Sequence, residues 1–159
     1  MARLTVLLST FFALLQVALS AVISDGRYRI LQQDQQISAG KKVVNFPVFL
    51  YPENKDLEQV WHIRSIDEDH ITITSSVPSN YLIVHSLSTG VVVIDRKQQK
   101  WRLQKSEKQG FYNILLPEGL TEDVAIGILP DTPEPHILAL QPIYGPGNDT
   151  IHWEFQQVE

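Results

Sequence analysis

The groups in this sequence that could do chemistry are five histidines, an acidic cluster, a lysine pair and one sequon, and each can be held against the spacing its chemistry needs. His62, His70, His85, His136 and His152 show neither the i, i+4 pairing of a helical metal site nor a short spacing to carboxylates, so no metal site is expected. Asp67-Glu68-Asp69 would need a facing acid to cleave a glycosidic bond; none is visible, and the cluster falls in an expected turn where charge is solvated. The chain has no cysteine, which removes thiolate nucleophiles, thiolate zinc ligands and disulfides together. There is no Gly-x-Ser-x-Gly elbow and no phosphate-cradling loop. These residues predict a protein that is not an enzyme and needs no cofactor. Asn148-Asp149-Thr150 is the only N-glycosylation sequon, and Gly145-Pro146-Gly147 beside it predicts a loop where a glycan on Asn148 has room. Lys41-Lys42, taken on residue type alone, reads as a solvated hairpin tip.

Arg3 followed by the apolar run Leu4 to Leu15, then Ala18-Leu19-Ser20-Ala21, reads as a secretory signal peptide over residues 1–20, with small residues at −3 and −1 of a cut after Ser20. The run is broken by Ser9 and Thr10 and is shorter than the roughly 20 apolar residues that span a bilayer. Residues 21–159 hold no later run of spanning length, so a secreted single domain with no membrane attachment is expected. The net charge is −5, and loss of Arg3 makes it more negative, which argues against nucleic acid as a partner.

Three tryptophans in similar settings organise the rest: Gln59-Val60-Trp61-His62-Ile63, Gln99-Lys100-Trp101-Arg102-Leu103 and Ile151-His152-Trp153-Glu154-Phe155. Each is followed two positions later by a large apolar residue, the period of a half-buried strand. An apolar-x-Ile strand opens each unit, at Tyr28-Arg29-Ile30, Ile71-Thr72-Ile73 and Tyr112-Asn113-Ile114. A further apolar run precedes each tryptophan, at Val48 to Tyr51, Val92 to Ile94 and Ile137 to Leu140. The short runs are bounded by Gly, Pro, Asn, Asp and Ser, and no amphipathic helix is apparent.

Three units, at about 24–65, 66–105 and 106–159, with four strands in each, predict an all-β chain folded as a β-trefoil. A propeller needs at least four blades, and an immunoglobulin-type sandwich has no reason to repeat its tryptophan strand three times. The trefoil reading places Trp61, Trp101 and Trp153 in the core with Ile63, Leu103 and Phe155, and sets His62 and His152 outward.

Gly26-Arg27-Tyr28-Arg29-Ile30, Pro47-Val48-Phe49-Leu50-Tyr51-Pro52-Glu53, the Trp61 strand, Leu129-Pro130-Asp131 and Ile137-Leu138-Ala139-Leu140-Gln141-Pro142 together carry a resemblance that spans the chain after its leader. It resembles the small β-trefoil protease inhibitors of mushrooms, the cospin and clitocypin type. That resemblance implies a monomer that enters the cleft of a protease, most often a serine endopeptidase, with an exposed loop between its second and third strands. Here the loop is approximately Ser38 to Phe46, with Lys41 or Lys42 as the contact for a trypsin-like target and Asn45 as a third candidate. Pro130-Asp131-Thr132-Pro133-Glu134-Pro135 is a stiff acidic loop, a plain connection or a second binding loop. Gln59-x-Trp61 and Gln99-x-Trp101 also resemble the repeat of ricin-B-type lectins, which implies glycan binding as the alternative; Ile151 breaks that repeat in unit three, and no Asp with a paired aromatic aligns as a sugar pocket.

Overall fold

Alternating apolar and polar residues produce an all-β architecture in a computed structural model, which describes residues 23–40, 43–76, 80–117, 123–145 and 148–159. The expected signal peptide and Lys41 and Lys42 lie outside the described residues. Unit one contains β1 (Gly26–Gln32), β2 (Gln35–Gly40), β3 (Phe49–Tyr51), the short β4 (Leu57–Glu58) and β5 (Trp61–Ser65). Unit two contains β6 (His70–Ser75), β7 (Tyr81–Val84), β8 (Val92–Asp95) and β9 (Trp101–Lys105). Unit three contains β10 (Tyr112–Leu115), β11 (Val124–Ile128), β12 (Leu138–Pro142), a 3-10 turn (Asn148–Ile151) and β13 (Glu154–Val158). There are thirteen strands among the described residues where twelve were expected; the extra one, β4, pairs Leu57 and Glu58 with Gly40 and Ala39 of β2.

The first and last strands of each unit form the barrel. Antiparallel ladders run from β1 to β5, β6, β9 and β10 in turn, and β13 pairs with β1. The ring closes where Tyr112 and Trp153 exchange backbone hydrogen bonds of 2.8 and 2.9 Å. The middle strands form the cap, where the bridges Pro47–Val93, Phe49–Ile137 and Val91–Ala139 join the three hairpins to one another.

Each tryptophan does the same work in its own unit. Trp61 lies opposite Tyr28, Trp101 opposite Ile71 and Trp153 opposite Tyr112, on the barrel wall. Their indole N–H groups donate across to the cap, to the carbonyls of Ile37 (3.0 Å), Leu82 (2.8 Å) and Ile126 (2.8 Å), the matching residues of the three second strands. All three rings are fully buried, as are Ile30, Ile73 and Ile114 from the opening strands. A buried indole thus joins barrel to cap three times, and the hydrogen bond satisfies both the ring and a carbonyl that water cannot reach. Ile63 is core as expected, whereas Leu103 and Phe155 are only partly buried, packed against the core's edge. Phe155 sits edge-on to the rings of Tyr28 and Tyr112, at 6.2 and 5.7 Å, so its position seals the barrel seam.

Candidate functional site

The connection between β2 and β3 is shorter than its sequence suggests. Ser38, Ala39 and Gly40, expected in the loop, belong to β2, and Ser38 is 0% exposed. The cause is a polar contact buried inside unit one: the Ser38 hydroxyl donates to the Gln36 carbonyl and accepts from Gln59 Nε2, both at 2.8 Å. Ser38, which reads as loop, is drawn in by Gln59, and Ala39 and Gly40 pair with β4.

From Val43 to Phe46 the chain is exposed and carries apolar side chains into solvent, with Phe46 53% and Val43 43% accessible. It is nevertheless held. The Asn45 N–H donates to the Ile94 carbonyl at 2.8 Å, and Val48, fully buried, donates to Val92 at 2.9 Å. Asn45 has φ 59°, the left-handed region that Asn tolerates better than most residues. An exposed apolar turn tethered at Asn45 and at Val48 on its C-terminal side can dock on a protein surface with less further ordering than a free loop.

The Gln-x-Trp pattern is a packing device in unit one. Gln59 is buried; its Oε1 accepts the Asn54 N–H at 2.7 Å, and its Nε2 donates to Ser38 Oγ and to the Pro52 carbonyl, both at 2.8 Å. The same pair of positions is Ser38 with Gln59 in unit one, Ile83 with Gln99 in unit two, and Gly127 with Ile151 in unit three. In unit three the swap is steric, since a Cβ on Gly127 would lie 2.9 Å from Ile151 Cγ2 and 2.8 Å from Gln141 Cγ. Gly127→Ala is therefore expected to destabilise the fold by about 1–3 kcal/mol. Urea denaturation checks this, and trimming Ile151 to alanine in the same chain should give a double variant less unstable than the two single losses summed.

The remaining candidates take structural places. Asp67 Oδ1 accepts the backbone N–H of Asp69 (3.2 Å) and of His70 (3.0 Å) and contacts His70 Nδ1 at 2.7 Å, which makes the acidic cluster a turn closed on itself. The His70 side chain, with the two backbone donors adding to it, holds the Asp67 carboxyl below the usual carboxylate range. A depressed carboxyl stabilises the folded turn at neutral pH, and that contribution disappears as pH falls through its folded value. An NMR titration should place Asp67 below an ordinary aspartate, and His70→Ala should move it back up.

His62 faces outward as expected, but His152 is 7% exposed and bonds through Nδ1 to Ser106 Oγ (2.7 Å) and Asn113 Oδ1 (3.2 Å). The outward expectation fails because His152 precedes β13, between the 3-10 turn and the Trp153 bridge, where strand alternation does not hold. In the acidic loop, Thr132 Oγ1 donates to Leu129 O at 2.8 Å and His136 Nδ1 lies 3.0 Å from Thr132 O, while Asp131, Pro133 and Glu134 stay exposed. Asn148 opens the 3-10 turn. Among the described residues no group of three His, Cys, Asp or Glu side chains could hold a metal ion, and no helix is long and apolar enough to cross a membrane.

No protein-family model matches this sequence, and no curated protein matches it. Solved structures do resemble it. The ricin B-like lectin of Macrolepiota procera, in complex with lactose, is 18% identical and superposes with a TM-score of 0.69 over 87% of this chain and 100% of that one. ThreeFoil, a designed threefold-symmetric protein, is 18% identical with a TM-score of 0.65, covering 84% of this chain and all of its own. The Polyporus squamosus lectin, bound to Neu5Aca2-6Galb1-4GlcNAc, is 16% identical with a TM-score of 0.65 over 86% of this chain and 50% of that one. Likeness at such identities speaks to the fold, and the fold of this chain is a β-trefoil.

Proposed function

We propose that this chain is a secreted, non-catalytic protein that inhibits a protease, a serine endopeptidase first, by inserting the β2–β3 connection into its cleft. The observation that carries this reading is the turn at Val43 to Phe46, which projects apolar side chains while Asn45 is tethered to Ile94 at 2.8 Å. A substrate-like loop inhibits when its shape is set before binding, because the ordering entropy has been lost in folding. Lys41 and Lys42 supply the cation for a protease with an acid at the base of its specificity pocket, and Asn45 is the alternative contact. Secretion rests on the leader at residues 1–20, and the lectins among the similar structures support a binding protein over an enzyme. The test is an inhibition panel of trypsin-, chymotrypsin-, subtilisin- and papain-like enzymes. Tight, reversible inhibition of a serine enzyme is expected, and silence across the panel would sink the proposal.

Carbohydrate binding is the second reading, favoured by the lactose-bound and sialoglycan-bound lectins that share the fold. Against it stands Gln59, whose amide is committed to intramolecular bonds. A glycan array that includes lactose and the α2-6 sialylated trisaccharide decides it independently of the protease panel. Glycosylation at Asn148 belongs with the secreted reading and is checked by a mass shift on enzymatic deglycosylation.

A further inference from the structure

Among the described residues seven large apolar side chains stand exposed, and four of them lie on two turns: Val43, Val44 and Phe46 on the β2–β3 connection, and Leu87 on the turn between β7 and β8. The two turns belong to different units but meet in the cap. Asn45 donates to the Ile94 carbonyl of β8 at 2.8 Å, Pro47 bridges to Val93, and Val48 donates to Val92 at 2.9 Å, so the first connection is laid along the second hairpin. Asn45 and Leu87 line one open cavity of about 750 Å3, with Ile83, Val84 and Leu116 as its apolar wall. Exposed apolar residues scattered singly need no account, whereas a group gathered round one depression marks a surface that another protein covers.

The β7–β8 turn is set before any partner arrives. Ser86 Oγ accepts the Thr89 N–H at 3.3 Å and lies 2.8 Å from Ser88 Oγ and 3.2 Å from Thr89 Oγ1, while the Gly90 N–H donates to the Ser86 carbonyl at 2.9 Å. Both ends of the tip are fixed as well: the His85 N–H donates to the Val91 carbonyl, and the Gly90 carbonyl accepts the Leu140 N–H, each at 2.9 Å. Gly90 has φ 65°, the left-handed conformation that lets the turn close without strain. Leu87, 53% exposed, therefore stands on a turn held by its own hydroxyls, and covering it gains apolar burial at little cost in ordering. Lys97 and Lys100 line the same cavity against one carboxylate, Asp95, so this face is basic in a chain of net charge −5 and complements an acidic partner.

We infer that the β7–β8 turn is a second contact with the protease, in which Leu87 docks in an apolar depression on the enzyme's rim, beside the cleft that the β2–β3 turn enters. The inference rests on the inhibitory reading of the β2–β3 turn and adds a second anchor to it. Leu87 comes from a separate hairpin, so it meets the surface next to the inserted segment and not the specificity pocket.

The test takes the enzyme of the panel that the whole chain inhibits most tightly, and compares wild type with Leu87→Ser and Leu87→Met. Leu87→Ser is expected to weaken inhibition at least about tenfold, mainly through faster dissociation, while Leu87→Met stays within about threefold. Both variants should keep the wild-type unfolding midpoint, because the side chain is exposed. In the free chain, Leu87→Ser should leave the backbone NMR signals of Asn45 and Phe46 in place. Bound to the enzyme with its nucleophile replaced by alanine, the wild-type chain should show shifted signals at Leu87, Ser88 and Thr89. Inhibition unchanged in Leu87→Ser, or no shifts at those three residues, would overturn the second contact and leave the β2–β3 reading standing. Movement of the Asn45 and Phe46 signals in the free variant would make Leu87 a prop for that turn and overturn the contact too. A wild type that inhibits nothing in the panel overturns both, so the two failures are told apart.

Discussion

Replacing Trp101 with alanine is expected to lower the free energy of unfolding by about 3–5 kcal/mol, a large part of the roughly 5–15 kcal/mol that holds a domain folded. The ring is fully buried, so truncation leaves a cavity, and the Leu82 carbonyl loses the indole N–H it accepts at 2.8 Å. No disulfide can mask the loss, because the chain has no cysteine. Trp101→Phe separates the two effects. Phenylalanine fills much of the space but cannot donate, and its smaller deficit, about 1–3 kcal/mol, reports mainly the orphaned carbonyl. Urea midpoints should fall in the order wild type, phenylalanine, alanine with little change in slope. The same order is expected at Trp61 and Trp153, whose indoles bond to Ile37 and Ile126. A loss below about 1 kcal/mol for the alanine variants would show that the cap does not hang on these rings.

The second large effect lies in the turn. Lys41→Ala with Lys42→Ala is expected to raise the inhibition constant against a trypsin-like enzyme at least about a hundredfold, roughly 2.7 kcal/mol, which is the scale of an interface hot spot. The unfolding midpoint should not move with it. Asn45 needs two substitutions because its φ is 59°. Asn45→Gly removes the side chain and keeps the backbone shape, whereas Asn45→Ala also introduces strain of about 1–2 kcal/mol. Inhibition lost in both variants belongs to the side chain; inhibition lost only in alanine belongs to the shape of the turn. If all these variants inhibit like the wild type, the contact lies elsewhere, and the exposed Asp131 to Glu134 segment is the next place to truncate.

The tryptophans made the trefoil legible before any coordinates, because each is followed two positions later by a large apolar residue and each must find an acceptor in the same place. What escaped was whatever depends on contacts between strands distant in sequence. Leu57-Glu58 is too short to show a period, and it becomes a strand only because Ala39 and Gly40 lie beside it. Ser38 looks like a turn residue, but a glutamine 21 positions later draws it into the core. His152 looks like an outward strand residue until Ser106 and Asn113 come to face it across β10. In the turn itself, the family resemblance pointed to the segment, and the tether from Asn45 to Ile94 could not be read from the sequence.

The seam of the barrel bears on how the chain comes to fold. β13 pairs with β1 over five residue pairs, from Arg27–Val158 to Leu31–Glu154, and meets β10 through Tyr112 and Trp153. Contacts that join the two ends of a chain form slowly, since a long loop must close before they repay it. On a ribosome, β5 with β6 and β9 with β10 can pair as soon as they emerge, but β1 waits with one edge open until Glu154 to Val158 is released. An open edge carrying unpaired backbone groups is a template for other chains. The interval before its own last strand arrives is therefore when this protein is most exposed to aggregation, and a truncation within β13 would prolong that interval indefinitely.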